Sequence, residues 1–263
     1  SLAGEGNVMH QERITSQQEV LDLIRARYSL LYIVSSEEQR VEESLRQIAV
    51  ERDRKLVAWS ITRGFVAKQG TLKGGEVKAP DKALDFIAAA EGAGIYVLRD
   101  FHAFLNDPSV VRRLRDLAQD LRKAQKTVIL LSPVLKIPPE VEKDVSVIDW
   151  ELPGRDELDA VVLRVLTNVK GNAKLLERGF KPELYVDKKG REAIVDAALG
   201  LTEVEAENVL SKTIIRNHDL HVPTVLSEKK HIIRKSGILE YYEATEDLNE
   251  IGGLETLKDW LKK

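Results

Sequence analysis

Apolar residues recur along this chain in two alternating rhythms. Short, mostly apolar runs at Leu30–Val34, 55–61, 95–98, 128–131 and 145–150 predict buried strands. Between them, apolar positions repeat at intervals of three and four, as in Val41, Leu45 and Ile48, and again in Val110, Leu114, Leu117 and Leu121. That spacing predicts helices that bury one face. Ser16 with Glu19 and Ser35 with Glu38 have the spacing of capping boxes, the first opening a helix through Ile24 and Arg27. Asp107 followed by Pro108 predicts an N-cap and a first helical residue. Another helix is expected over 82–90, stopped before Gly92 and Gly94. The segment 69–80, with Gly70, Gly74 and Gly75, reads as an exposed loop or hairpin. Five strands separated by helices imply parallel pairing with right-handed crossovers.

After Leu152 the rhythm becomes helical throughout, with helices expected over 155–169, 189–199, 202–216 and 225–235. Thr202 with Glu205 is a third capping-box pair, and Gly237 is an expected helix stop. Pro153–Gly154 marks the boundary between an α/β half and a helical half. The expected organisation is an appended remnant over 1–8 ahead of a native start at Met9, an α/β core over 9–152, a helical subdomain over 153–242, and a polar tail over 243–263.

Composition narrows the function classes. Among 263 residues, 43% hydrophobic content supports a sizeable core, and 32% charged content with a net charge of −3 describes a mixed surface without global attraction for nucleic acid. There is no cysteine, which excludes disulfides, thiolate metal sites and cysteine nucleophiles. No apolar run approaches the ~18 residues of a membrane span, and the sequence shows no signal-peptide pattern, so a cytoplasmic location without a leader is the expectation.

The order of elements carries candidate chemistry. The first strand runs into Ser35, Ser36, Glu37, Glu38, Gln39 and Arg40; the third ends at Arg99 and Asp100; the fourth ends at Ser132 and Pro133. A strand–turn–helix, a strand ending in Asp, a strand ending in Ser and a helical subdomain together resemble an AAA+ ATPase module. The run Asp247, Leu248, Asn249, Glu250, Ile251, Gly252, Gly253, Leu254, with Leu257 and Lys258, looks like the entry to an AAA domain. Val97–His102, Arg112–Ala118 and Ile129–Val134 are similar to the N-terminal AAA-like region of the cyanobacterial and chloroplast hypothetical-open-reading-frame AAA ATPases and their bacterial relatives. The resemblance spans residues 25–263 and implies an α/β fold with a five-stranded parallel P-loop-NTPase-like core and an all-helical C-terminal lid. It also implies that 243–263 leads into a following AAA domain that uses ATP and Mg2+.

Set against that family's pattern, Asp100 matches the Walker B aspartate and Ser132 the sensor position, while Ser35, Ser36 and Arg40 occupy the phosphate-binding turn. No glycine or lysine stands in that turn, Phe101 takes the place of the catalytic glutamate, and Lys136 and Lys143 are the only cations in the loop where an arginine finger is expected. The resulting expectation is a non-catalytic AAA+-like domain, not itself an enzyme and without a cofactor of its own, that binds partners or packs in a ring. The alternative is a regulatory ATP/ADP-binding domain, its phosphates held by Arg40 or Lys136. Ser35, Ser36, Arg40, Asp100 and Ser132 are then a vestigial nucleotide site, with no catalytic residue and no metal site.

Each of these residues also has an ordinary structural reading. Asp100 is a turn or cap, Ser132 a strand terminus, His102 a packing residue beside Phe101 and Phe104, His218 and His221 surface loop residues, and Glu37 and Glu38 complements to a helix N-terminus. Arg112, Arg113 and Arg115 form a solvated or interface face on the fourth helix. Expected partners are the following AAA domain, copies of the chain and an unidentified protein, with no membrane; a basic-helix contact to nucleic acid is disfavoured by Asp116 and Asp120.

Overall fold

A computed structural model describes residues 14–67, 70–170 and 172–236. The expectations for residues 1–8, Met9, Gly237 and the tail over 243–263 lie outside the described residues. The chain divides into two compact units, Ser1–Glu151 and Leu152–Lys263.

The first unit is a three-layer α/β structure. Its helices are α1 (Ser16–Arg25), α2 (Glu38–Glu51), α3 (Pro80–Ala89) and α4 (Pro108–Leu121). Its strands are β1 (Leu30–Val34), β2 (Lys55–Ser60), β3 (Gly64–Ala67), β4 (Gly70–Thr71), β5 (Gly94–Arg99), β6 (Lys126–Ser132) and β7 (Ser146–Asp149). They form one seven-stranded sheet in the order β4-β3-β2-β5-β6-β1-β7. The five expected strands are the parallel set β2-β5-β6-β1-β7. The expected total of five is too low, because β3 and β4 extend the sheet as an antiparallel hairpin beyond β2.

Alternation of side chains across the sheet separates two cores. Leu30 and Tyr32 of β1 join Trp59, Leu98 and Leu130 against α3 and α4. Leu31 and Ile33 join Ala58, Val97, Leu131 and Ile148 against α1 and α2. The central strands are buried on both faces, which is why they read as continuous apolar runs. Full burial of each large apolar side chain contributes about 1.5–3 kcal/mol, so the two layers supply the main driving force of the unit.

Two helix starts differ from expectation. Thr15, not Ser16, caps α1, its side chain accepting from Gln18 N–H. Ser16 instead donates to Asp149 O and accepts from Glu151 N–H, tying α1 to the end of β7. No capping box forms at Ser35: Glu37 is the N-cap of α2, and its side chain makes no cap bond.

Among the described residues, the second unit is helical: α5 (Arg155–Lys170), α6 (Ala173–Glu177), α7 (Lys188–Ala198), α8 (Glu203–Asn217) and α9 (Val222–Ser236). Leu158, Val161, Val162, Ile194, Leu210 and Val225 are among the side chains of its shared core. The Thr202–Glu205 capping box is present with both of its bonds. Arg191, buried on α7, is held bidentately by Asp159 of α5 at 2.6 and 2.9 Å and donates to the carbonyls of Tyr185 and Val186.

Candidate nucleotide site at the sheet edge

The candidate residues of the first unit converge at the carboxyl ends of β1, β5 and β6. Parallel register places Val34 beside Ser132 and Arg99 beside Leu131. Two backbone bonds carry that register past the strand ends, Ser35 N–H to Ser132 O and Asp100 N–H to Leu131 O, both 2.9 Å. The chain leaving β1 crosses toward β2, whereas the chain leaving β6 crosses toward β7 on the opposite side. The β1–β6 pair is therefore a topological switch point, the place where open α/β sheets leave a crevice for ligands.

Each residue here has a definite local setting. Ser35 Oγ accepts from Glu37 N–H at 3.1 Å, closing a tight turn, and Ser36 is exposed. Glu37 is buried and pairs with Arg40 at 2.8 Å; Arg40 also donates to the Glu151 carbonyl, linking this turn to the end of the unit. Asp100 adopts the left-handed conformation at φ 52°, a geometry that Asp tolerates better than most side chains, and its carboxylate is 60% exposed. The next residue, Phe101, is fully buried and meets Trp59 and Phe104 edge-to-face. Asp100 is thus held out at the rim by an aromatic anchor beneath it.

Ser132 is buried and shares a 2.6 Å hydrogen bond with His102 Nδ1, and that nitrogen lies 4.0 Å from Asp100. His102 is therefore more than a packing residue: it bridges the ends of β5 and β6. The loop after Ser132 is pinned by Tyr32, whose hydroxyl donates to Val134 O and accepts from Lys136 N–H.

An ion pair that local spacing did not single out lies alongside. Arg99 grips Glu42 of α2 with bonds of 2.6 and 2.8 Å, and the Glu42 side chain is 5% exposed. This hydrogen bond raises the Arg99 pKa, and burial raises that of Glu38, opposed by Arg99. Glu42 sits one residue after Val41 and three before Leu45, so its place on the flank of the apolar stripe was the available signal.

The remaining candidates do not join this edge. Arg112, Arg113 and Arg115 face Asp116, Asp85 and Asp144 respectively, all within the first unit. His218 is the left-handed C-cap of α8, and His221 bonds Thr224. Among the described residues no group of three or more His, Asp or Glu is placed to hold a metal, and no helix is long and apolar enough to cross a membrane.

The edge can be tested against a magnesium nucleotide. The β1–α2 turn, with Glu37 buried in it and no glycine, is not folded as a backbone cradle for phosphate. The exposed side chains beside it suit the ligand better, the Ser36 hydroxyl and the Asp100 carboxylate, whereas Ser35 Oγ is engaged by Glu37 N–H and Arg40 by Glu37 and the Glu151 carbonyl. Magnesium held with a nucleotide takes one or two carboxylates plus phosphate oxygens, so a single aspartate is a sufficient protein ligand.

Comparison with known proteins shows the family to which both units are similar. The family model described as SpoVK-like AAA ATPase, N-terminal domain, matches residues 16–150, and that described as SpoVK-like AAA ATPase, second domain, matches 156–236. The AAA domain-containing protein ycf46 of Trieres chinensis is 31% identical over 93% of this chain and 48% of its own length. That of Guillardia theta is 32% identical over 91% of this chain and 46% of its own length. The chain thus spans about half the length of these relatives.

These matches correct three expectations: a non-catalytic scaffold (with its regulatory-domain alternative), a chain that is no enzyme, and a chain without a cofactor. Both matching models describe an AAA ATPase and together they take in most of the chain. The physical reason for the error lies at the edge itself. Departures from the family's pattern at single positions do not by themselves remove a function. Those positions are used for packing here, Glu37 with Arg40 and Phe101 with Trp59, and such packing shows how the edge is held rather than what it excludes.

Proposed function

The chain belongs to the SpoVK-like AAA ATPase family, and from that premise we propose that it serves ATP-dependent work, engaging ATP with Mg2+ at the switch-point edge of its sheet. The observation that carries this reading is the meeting of Ser35, Asp100, His102 and Ser132 where β1, β5 and β6 end. In this reading Asp100 faces the hydrated magnesium, Ser35 and Ser36 face the phosphates, Arg40 joins them by exchanging its Glu37 partner, and the β1–α2 turn is a Walker A position with side chains in place of glycines. Ser132 and His102 hold the sensor position together. The second unit acts as a helical lid, the setting is cytoplasmic, and the partners are copies of the chain and a following AAA domain; the greater length of the curated relatives supports the last.

Calorimetric titration with ATP and Mg2+ tests the reading, with Asp100→Asn as the diagnostic variant. Asn tolerates the left-handed backbone and keeps the shape while removing the charge. The expected outcome is binding that depends on magnesium in the native chain and loses that dependence in the variant. The absence of both heat and a rise in melting temperature at millimolar ATP and Mg2+ would refute it, since a ligand at 100 times its Kd stabilises by ~2.7 kcal/mol.

A further inference from the structure

A second feature lies apart from the switch point, along β2 and β3 beside α2. The hairpin of β3 and β4 carries the sheet beyond the cover of α2, leaving a cleft of about 100 Å³. Leu56, Ala58 and Val66 are among its lining residues. Arg46 from α2, Arg63 from the β2–β3 turn and Arg99 from the end of β5 also line it, together with Glu42.

Three guanidinium groups and the Glu42 carboxylate line the cleft, with Glu43 paired to Arg46 and Glu38 standing 3.6 Å from Arg99. Arg99 is turned on Glu42, and Arg46 reaches Glu42 at 3.5 Å and Glu43 at 2.6 Å. Among the described residues no carboxylate pairs with Arg63, whose backbone is fixed by bonds from its N–H to the Ser60 carbonyl and hydroxyl. A water needs about 10–15 Å³ of such space, so the cleft has room for a tetrahedral oxyanion of five heavy atoms. Forked guanidinium groups match the oxygens of a phosphate, and Arg63 brings a guanidinium that no carboxylate among the described residues engages.

We propose that this cleft is an anion site for a phosphate group, with Arg63 as its primary ligand and Arg46 swinging from Glu43 to join it. The site is separate from the switch-point edge and does not depend on the function proposed there. The phosphate has two possible sources, the free ion and the tail of a nucleotide, and both present the same oxygens to Arg63.

The test is calorimetric titration of the whole chain with inorganic phosphate at fixed ionic strength, repeated for Arg63→Ala and for Arg112→Ala, an exposed arginine on α4 away from both sites. Arg63 is exposed, so its removal leaves the core intact, and a matched circular dichroism melt verifies this. The expected result is saturable phosphate binding, weakened about tenfold or more by Arg63→Ala, as for loss of a charge-assisted hydrogen bond, and unchanged by Arg112→Ala. Competition by ATP would identify the nucleotide tail as the source, and binding without competition would identify the free ion; either outcome upholds the site. No saturable phosphate binding by the native chain, or equal binding by Arg63→Ala, would overturn it.

Discussion

Replacing Arg99 with alanine is the sharpest test of how the sheet edge is held. Glu42 lies on a helix face packed against the sheet, its side chain 5% exposed, and takes both of its strong bonds from Arg99. Removing one partner of a buried pair costs about 3–5 kcal/mol, because the remaining charge stays desolvated. Arg46 stands 3.5 Å from the same carboxylate and Arg99 is itself 28% exposed, so the lower end applies, about 3 kcal/mol. At roughly 2–4 °C per kcal/mol for a domain of this size, the melting temperature should fall by about 6–12 °C. Urea unfolding followed by tryptophan fluorescence reads this directly, because Trp59 and Trp150 both lie in the first unit and Trp59 is fully buried. The paired replacement Arg99→Met with Glu42→Leu removes both charges and should recover most of the loss. A cost below ~0.5 kcal/mol for Arg99→Ala, the range of exposed pairs, would refute the claim that Glu42 is a buried charge in need of its partner.

Two further outcomes concern the helical unit. Thr202→Ala removes the side-chain acceptor of the α8 capping box and should cost ~1 kcal/mol in urea unfolding followed by far-ultraviolet circular dichroism, with Thr202→Ser nearly neutral. The bidentate bond from Arg191 holds the Asp159 carboxyl below its ordinary pKa. A depressed carboxylate binds its proton more weakly in the folded state, so its contribution is complete above the unfolded value of ~3.9 and is lost as pH falls through the folded value. Stability of this unit should therefore drop from pH 5 toward pH 2.5, and Arg191→Gln should flatten that drop while lowering stability at neutral pH; an unchanged acid slope in the variant would show that the pair is not linked to folding.

Elements whose cause is local were legible in the sequence. The Asp107–Pro108 start of α4 and the Thr202–Glu205 box depend on residues within one turn, and both are present. The alternation of Leu30 to Ile33 places two residues in each core because a strand has a period of two. The β3–β4 hairpin was hidden by its glycines. Gly64 takes φ +68°, and a Cβ there would lie 2.4 Å from the Gly75 carbonyl, so the chain needs glycine where a strand pattern expects a side chain. The five residues of α6 are too few to show a helical period.

The edge chemistry was hidden for another reason. Ser16 and Thr15 are equal candidates to cap α1, and what decides between them is a pair of bonds from Ser16 to Asp149 and Glu151, more than 130 positions away. Glu37 and Arg40 look like an ordinary pair on a helix surface, yet they sit at the N-terminus of α2, which Arg40 ties to Glu151. In each case the sequence offers several local uses for a side chain, and the partner that selects one arrives only with the complete sheet. A position-by-position template inherits this weakness at the sheet edge, because it assumes that a residue type has one use. His102 makes the point physically. Read locally it is a ring between two phenylalanines, but parallel pairing of β5 with β6 brings Ser132 to its Nδ1 and turns it into a polar bridge at the mouth of the crevice.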